Sequence, residues 1–250
     1  YRIKNGVFRL TKSKLPIDIM GAESTIIRGV RQASSVLCGS PSWETTVEGV
    51  LSELRVDGIP ELTVVFIDSR FSNHLDDILK NIQSNLNCRH LIGCIGQSVI
   101  GSGIEAEDYS ALSIMTLSLP DATLIPCVVD DEETADHAIE KLGKESCTTI
   151  LMFADPFSSD IESLLSKIHT RIPQIPVLGG LASSHGGNSG IGLFLDGVIH
   201  RRGAVLMGLR NVSVHTIIAQ GAEPLGRPMT ITESDRNIIK KLGSRPALDV

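Results

Sequence analysis

Apolar residues fall into two alternating registers along this chain, one at helical spacing and one in short β-branched runs. Val47, Val50, Leu51 and Leu54 lie on one face of a predicted helix near residues 44–55, which Gly58 and Pro60 end. The run 62–67 (Leu-Thr-Val-Val-Phe-Ile) has the composition of a buried strand. A second helix is predicted from about Ser72, with Leu75, Ile78, Leu79, Ile82 and Leu86 on its apolar face and the Ser72 hydroxyl as a candidate N-cap. A strand over 90–95, a loop through Gly96, Gly101 and Gly103, and strands near 110–118 and 122–129 follow.

The same order then recurs about 86 to 88 residues later. A helix from about Glu132 carries Ala135, Ala138, Ile139 and Leu142 and stops at Gly143, and residues 148–154 form the matching strand. Ser158 or Ser159 is placed to cap a helix with Ile161, Leu164, Leu165 and Ile168, and Pro173 and Pro176 bracket its exit to a strand at Val177-Leu178. After a loop over 179–190 come strands at 191–195, 198–200, 204–209 and 212–219. Asp68 and Asp155 take matching places after the two long buried strands. The expected fold is α/β, built from internally duplicated α-β-α-β-β units whose second apolar faces pack together as an α-β-β-α sandwich. One continuous mixed sheet with helices on both faces is the competing arrangement.

Composition narrows the function classes. With 42% apolar and 21% charged residues over 250 positions, the chain can bury a core of domain size. A net charge of -6 argues against nucleic-acid binding, which needs a basic field, and no apolar run is long enough for a membrane span. Charge is uneven: residues 1–33 hold seven Lys or Arg against Asp18 and Glu23. That segment reads as a basic extension or the remnant of an organelle-targeting segment, so the expected location is the cytoplasm or an organelle interior. Cys38, Cys88, Cys94, Cys127 and Cys147 form no CxxC pair, which fits buried free thiols and no structural metal.

Candidate chemistry concentrates in one segment. Gly179-Gly180-Leu181-Ala182-Ser183-Ser184-His185-Gly186-Gly187-Asn188 follows a strand. Its glycines would let a ligand approach backbone amides, and Ser183, Ser184, His185 and Asn188 would supply polar contacts; the alternative is a connection whose glycines serve turn geometry. Neither GxGxxG nor GxxxxGK[ST] is present, so no nucleotide cofactor is expected. Asp196-Gly197 reads most simply as a tight hairpin turn, with a ligand contact at Asp196 as the alternative. Asp68 with Asp155 would make an acid–base pair only if the repeats brought them together, and each is also a natural turn former. His200-Arg201-Arg202 is a small basic cluster that could attract an anion. Cys94 is either an exposed loop thiol or a core cysteine. No nucleophile elbow and no HExxH occurs, so no catalytic residue is assigned.

A family resemblance rests on several segments in order. They are Gly179-Gly180-Leu181-Ala182, Leu193-Phe194-Leu195-Asp196-Gly197, Gly203-Ala204-Val205 and Gln220-Gly221-Ala222-Glu223-Pro224-Leu225-Gly226-Arg227-Pro228. Met229-Thr230-Ile231-Thr232, Asn237 and Leu242-Gly243-Ser244-Arg245-Pro246-Ala247-Leu248 continue the series. Over about residues 35–250 the chain resembles the FIST family, at its N-terminal domain and the join to its C-terminal domain. The resemblance implies an intracellular sensory or signal-transduction module that binds a small polar ligand such as an amino acid, and a noncatalytic protein-interaction or substrate-recruitment scaffold is the alternative. It also implies partners: the C-terminal domain, and signalling or ubiquitin-ligase machinery reached in some relatives through an F-box. The ligand is then expected at Gly179, Gly180, Ala182, Ser183, Ser184, His185 and Asn188, with Asp196 and Arg227 as further contacts. The implied division is an extension over 1–33, a FIST N-terminal-like domain over 34–228, and a linker with the start of the C-terminal domain over 229–250. Ala222-Glu223-Pro224 departs from the family pattern, in which Cys and Arg precede Pro, so no thiol or cationic role is expected there. No F-box is evident in the first 33 residues.

Overall fold

The computed structural model describes residues 3–4, 7–10, 32–101, 103–185, 190–212, 214, 228–236 and 238–249. These fall into two compact units, one within residues 1–214 and one within 215–250. The first begins with β1 (Ile3–Lys4), β2 (Val7–Leu10), β3 (Gln32–Gly39), α1 (Trp43–Glu53) and β4 (Leu62–Asp68). It continues through α2 (Leu75–Leu86), β5 (His90–Gly96), the hairpin of β6 (Val99–Gly101) and β7 (Ile104–Ala106), and β8 (Ala111–Ser118). Then come β9 (Thr123–Val129), α3 (Glu132–Lys144), β10 (Thr149–Ala154), α4 (Ile161–Arg171) and β11 (Val177–Leu181). β12 (Leu193–Leu195), β13 (Val198–His200) and β14 (Ala204–Arg210) complete it.

Among the described residues these strands make two main sheets, so the single continuous sheet is set aside. One runs β1-β2-β3-β8-β4-β5-β12-β13 and the other β11-β10-β14-β9. In the first, β3/β8 and β8/β4 pair antiparallel and β4/β5 parallel. In the second, β9/β14 and β14/β10 pair antiparallel and β10/β11 parallel. The strand after Ala122, expected to finish the first unit, therefore opens the second sheet, and β3 holds the corresponding place in the first. The hairpin of β12 and β13 pairs with β5 through Leu193–Cys94 and Leu195–Ile92. The expected strand over 212–219 lies almost wholly outside the described residues.

Strand alternation explains the layering, because successive side chains leave a strand on opposite faces. Phe153, Val205, Met207 and Leu209 of the second sheet share a core with residues of β3, β4, β5, β8, α1 and α2. Their neighbours Ile150, Met152, Ala154, Ala204 and Leu206 share another with Ala138, Ile139 and Leu142 of α3 and with Leu164 and Ile168 of α4. The second sheet thus has the first sheet on one side and α3 with α4 on the other. Phe66 and Phe153 meet across the sheets edge to face, with ring centroids 5.3 Å apart. The result is an α/β fold of mixed sheets and helices.

Local caps set the helix starts. Ser42 accepts from the Thr45 amide at α1, and Asp131 forms a reciprocal capping box with Thr134 at α3. At α4 the cap is Asp160, not the expected Ser158 or Ser159, because Ser158 is engaged by Asp155. Before α2 a 3-10 turn over Ser69–His74 replaces the expected Ser72 cap, with Asp68 accepting from the Arg70 amide. The second unit is an antiparallel sheet of β15 (Ile231–Asp235), β16 (Ile238–Leu242) and β17 (Arg245–Pro246), ending in a 3-10 turn over Ala247–Asp249. Among the described residues no helix is long and apolar enough to cross a membrane.

Candidate functional site

Two parallel strand pairs end near one another. Asp68 pairs with Gly96 at the carboxyl end of β4 and β5, and Ala154 with Leu181 at the carboxyl end of β10 and β11. In open α/β sheets, ligands bind outside such ends. The segment leaving β11 bridges both. The Ala182 amide donates to Ala154 O of the second sheet at 2.8 Å, and the Ser183 amide donates to Ile95 O of the first at 3.3 Å. The Ser183 hydroxyl accepts from the Gln97 amide at 2.9 Å.

His185 then reaches the turn after β4. Its Nδ1 lies 2.7 Å from Ser69 Oγ and its amide donates to the same oxygen at 3.3 Å. Its Nε2 lies 3.3 Å from Arg70 Nη2. The Arg70 guanidinium also donates from Nη1 to Asp68 Oδ2 and from Nη2 to Glu107 O, each at 2.8 Å. Because a guanidinium only donates, Nε2 must accept, so the ring proton sits on Nδ1 and points at Ser69. His185 in this tautomer cannot take the Ser69 proton through Nδ1, and the arrangement orients polar groups without activating a nucleophile.

Asp68 is wholly buried. Burial pushes its carboxyl above the ordinary range; the Arg70 amide, the guanidinium and His185 pull the other way. Arg70 itself is exposed, so the pair joins a solvated guanidinium to a buried carboxylate, and losing Arg70 would leave that carboxylate without its cation. Asp155, its counterpart, is also buried, but accepts from the Phe157 amide and the Ser158 hydroxyl, which in turn accepts from the Gly203 amide at 2.9 Å. Each aspartate serves its own turn.

The structure gathers only part of the predicted set. Ser183 and His185 come together at the strand ends, with Ser184 between them, and both are exposed. Ala182 is buried, so its contribution there is through backbone. At Gly179 (φ 149°) a Cβ would lie 1.7 Å from Met152 O, so that glycine serves the approach of β11 to β10; Gly180 faces open space. Asn188 and Arg227 lie outside the described residues. Asp196 sits at the opposite end of β5, roughly 20 Å away along the strand. There its carboxylate accepts from the Leu91 amide at 3.0 Å and pairs with His90 at 3.0 Å, and Asp196 and Gly197 take the positive φ values (48° and 82°) of a tight hairpin turn. Arg201 donates to Ile191 O and Arg202 to Asp130 O, so the basic cluster ties loops together. Cys94 is buried in β5, as a core cysteine.

Ser69, Arg70, Gln97 and Glu107 were not singled out from sequence. The one signal toward them was the match of Asp68 to Asp155, which marks the strand end but not the arginine two residues on. A cavity of about 270 Å³ lies between the N-terminal ends of α3 and α4, near Asp131, Glu132, Asp160, Ser163 and Lys167. Its polar groups satisfy one another: Asp131 and Asp160 cap their helices, and Glu132 pairs with Lys167 at 2.6 Å. Among the described residues no three His, Cys, Asp or Glu side chains are grouped to hold a metal ion.

Residues 61–245 match the FIST N domain, and the chain belongs to that family. It is similar to the uncharacterized protein Rv0628c of Mycobacterium tuberculosis, at 27% identity over 196 residues, which cover 76% of this chain and 50% of the relative. It is also similar to the uncharacterized protein Mb0898c of Mycobacterium bovis, at 27% over 195 residues, covering 76% and 49%. The chain spans about half the length of these curated relatives. Family membership supports a general sensory or signalling role.

Proposed function

We propose that this chain is the noncatalytic ligand-sensing part of an intracellular signalling protein, and that it takes a small polar metabolite, such as an amino acid, at the carboxyl ends of β4, β5 and β11. The observation that supports this reading is the bridge from β11, which sets His185 against Ser69 and Arg70 from more than a hundred residues away, with the Ser183 hydroxyl on the Gln97 amide beside it. Hydroxyls, an imidazole and a guanidinium there offer both donors and acceptors, as a zwitterionic ligand requires. Ser184 and Gly180 are proposed to complete the site, whereas Asp196 serves the hairpin.

The matching strand orders of the two sheets are read as two copies of one α-β-α-β-β unit, packed as an α-β-β-α sandwich. In this reading the sensory domain spans 34–228 and a further domain starts within 229–250, so that ligand binding biases the arrangement of the two. A thermal-shift screen of the full-length protein against amino acids and common metabolites tests it. A rise of several degrees with one compound, lost in His185→Ala, is the expected outcome. A folded protein that responds to none sinks the proposal.

A second reading is a recruitment scaffold for a signalling or ubiquitin-ligase partner. It draws on Phe157 and Leu181, 55% and 53% exposed at the same end of the second sheet. Stable co-purification of such a partner, lost in Phe157→Ser, would favour it over ligand sensing.

A further inference from the structure

We infer that His185 makes the attachment of the β11 exit segment to the turn after β4 dependent on pH, closed while the imidazole is neutral and released when it is protonated. The inference stands whether or not a metabolite binds. It follows from what each ring nitrogen touches. In the neutral ring Nδ1 donates to Ser69 Oγ and Nε2 accepts from Arg70 Nη2. Protonation turns both nitrogens into donors. Nδ1–H can still donate to Ser69, but on the same rigid ring Nε2–H then confronts a guanidinium N–H at 3.3 Å, donor against donor and cation against cation, and a ring that swings away from Arg70 carries Nδ1 and the His185 amide off Ser69 Oγ with it.

Among the described residues, the acceptors beside His185 take up the new proton only by disturbing this contact. Among the same residues, the charged groups facing His185 are Arg70, on the turn after β4, and Asp68, at the end of that strand. Both Asp68 oxygens are already taken, Oδ1 by the Arg70 amide and Oδ2 by Arg70 Nη1. From the segment between β7 and β8, Glu107 presents its backbone carbonyl, which accepts from Arg70 Nη2. An imidazolium reaches Asp68 or Glu107 O only by displacing Arg70, so the Arg70–His185 contact ends either way. Imidazole is the one side chain whose ordinary titration falls between pH 5 and 8.

The release is local. Ala182 and Ser183 are held by amides bonded to Ala154 O and Ile95 O, and the Ser183 hydroxyl by the Gln97 amide. None of these bonds involves a titrating group, so residues 182 and 183 stay seated while His185 moves. Release also frees an Arg70 donor beside a new cation, which turns the strand ends toward anions.

Amide hydrogen exchange, resolved by residue, tests this on the full chain at about pH 7.5 and about pH 5.5. After correction for intrinsic exchange, protection of the His185 amide should fall about tenfold in the wild type at the lower pH while that of the Gln97 amide is unchanged. In His185→Gln the amide oxygen can accept from Arg70, the amide nitrogen can donate to Ser69, and neither titrates, so protection should be the same at both values. Equal protection of His185 at both values in the wild type overturns the inference. So does a parallel loss at Gln97, which marks general loosening, or the same loss in His185→Gln. Should His185→Gln fail to fold, the wild-type comparison of His185 with Gln97 decides alone.

Discussion

Cys94 and Cys88 lie six residues apart and face different fates. The Cys94 thiol is buried in β5, and burial pushes its pKa up to about 12. Cys88 is only half-buried, just before that strand, and burial raises its pKa too. Thiolate fraction and access set the alkylation rate. Iodoacetamide at mildly alkaline pH should therefore modify Cys88 first and reach Cys94 only after denaturant is added, as read by mass spectrometry of tryptic peptides. Early labelling of Cys94 would mean that β5 opens locally. Cys94 matches Gly180 in the expected repeat, and that match left open whether it is a loop or a core cysteine. What the match could not carry is that β5 is sandwiched between β4 and β12, whereas β11 is, among the described residues, an edge strand.

At the scale of elements, two neighbouring glycines should behave differently. Gly179 and Gly93 hold matching places, and a Cβ on either would lie within 1.8 Å of a carbonyl on the adjoining parallel strand; Gly180 has nothing within 4 Å. Gly179→Ala should cost more than about 4 kcal/mol in urea unfolding and Gly180→Ala less than about 0.5 kcal/mol. Helix caps give a pH signature. Hydrogen bonds from the Thr134 amide and hydroxyl hold the Asp131 carboxyl below its ordinary value of 3.8. The folded pKa is depressed, so this contribution is fully present above 3.8 and lost as pH falls through the lower folded value. The stability gap between wild type and Asp131→Ala should accordingly be open at neutral pH and narrow in strong acid, measured by denaturant titration at each pH. Helices and the doubly buried β4 and β10 were legible because their periodicities are unbroken. The strand β3 was not, since Ser34 and Ser35 interrupt its apolar run. The placement of β12 depends on register with a strand about a hundred residues earlier, which no local pattern encodes. The candidate site shows the same divide: Ser183 and His185 stood out in a glycine-rich loop, while Arg70 acquires its role only through contact with Asp68, Glu107 and His185.

For the molecule as a whole, the two sheets share one apolar interior, and the edge-to-face pair of Phe66 and Phe153 crosses it. Phe153→Ala removes one side of that pair and should cost about 3–5 kcal/mol. Trp43, the single tryptophan, opens α1 beside the first sheet and so gives a fluorescence probe remote in sequence from the mutation. If the sheets unfold together, its midpoint in urea should shift by as much as the far-ultraviolet circular dichroism midpoint. A Trp43 midpoint left unmoved would show two separately melting halves. The hairpin of β12 and β13 has a further consequence during synthesis on the ribosome. β5 is complete at Gly96, but the strand that covers its outer edge starts at Leu193. For the time taken to translate the residues between, a nascent first sheet carries a bare edge of unpaired amides and carbonyls, the kind of template that recruits other chains. Pausing or truncation within that window should leave aggregation-prone products, and a chaperone that shields strand edges would be needed most there.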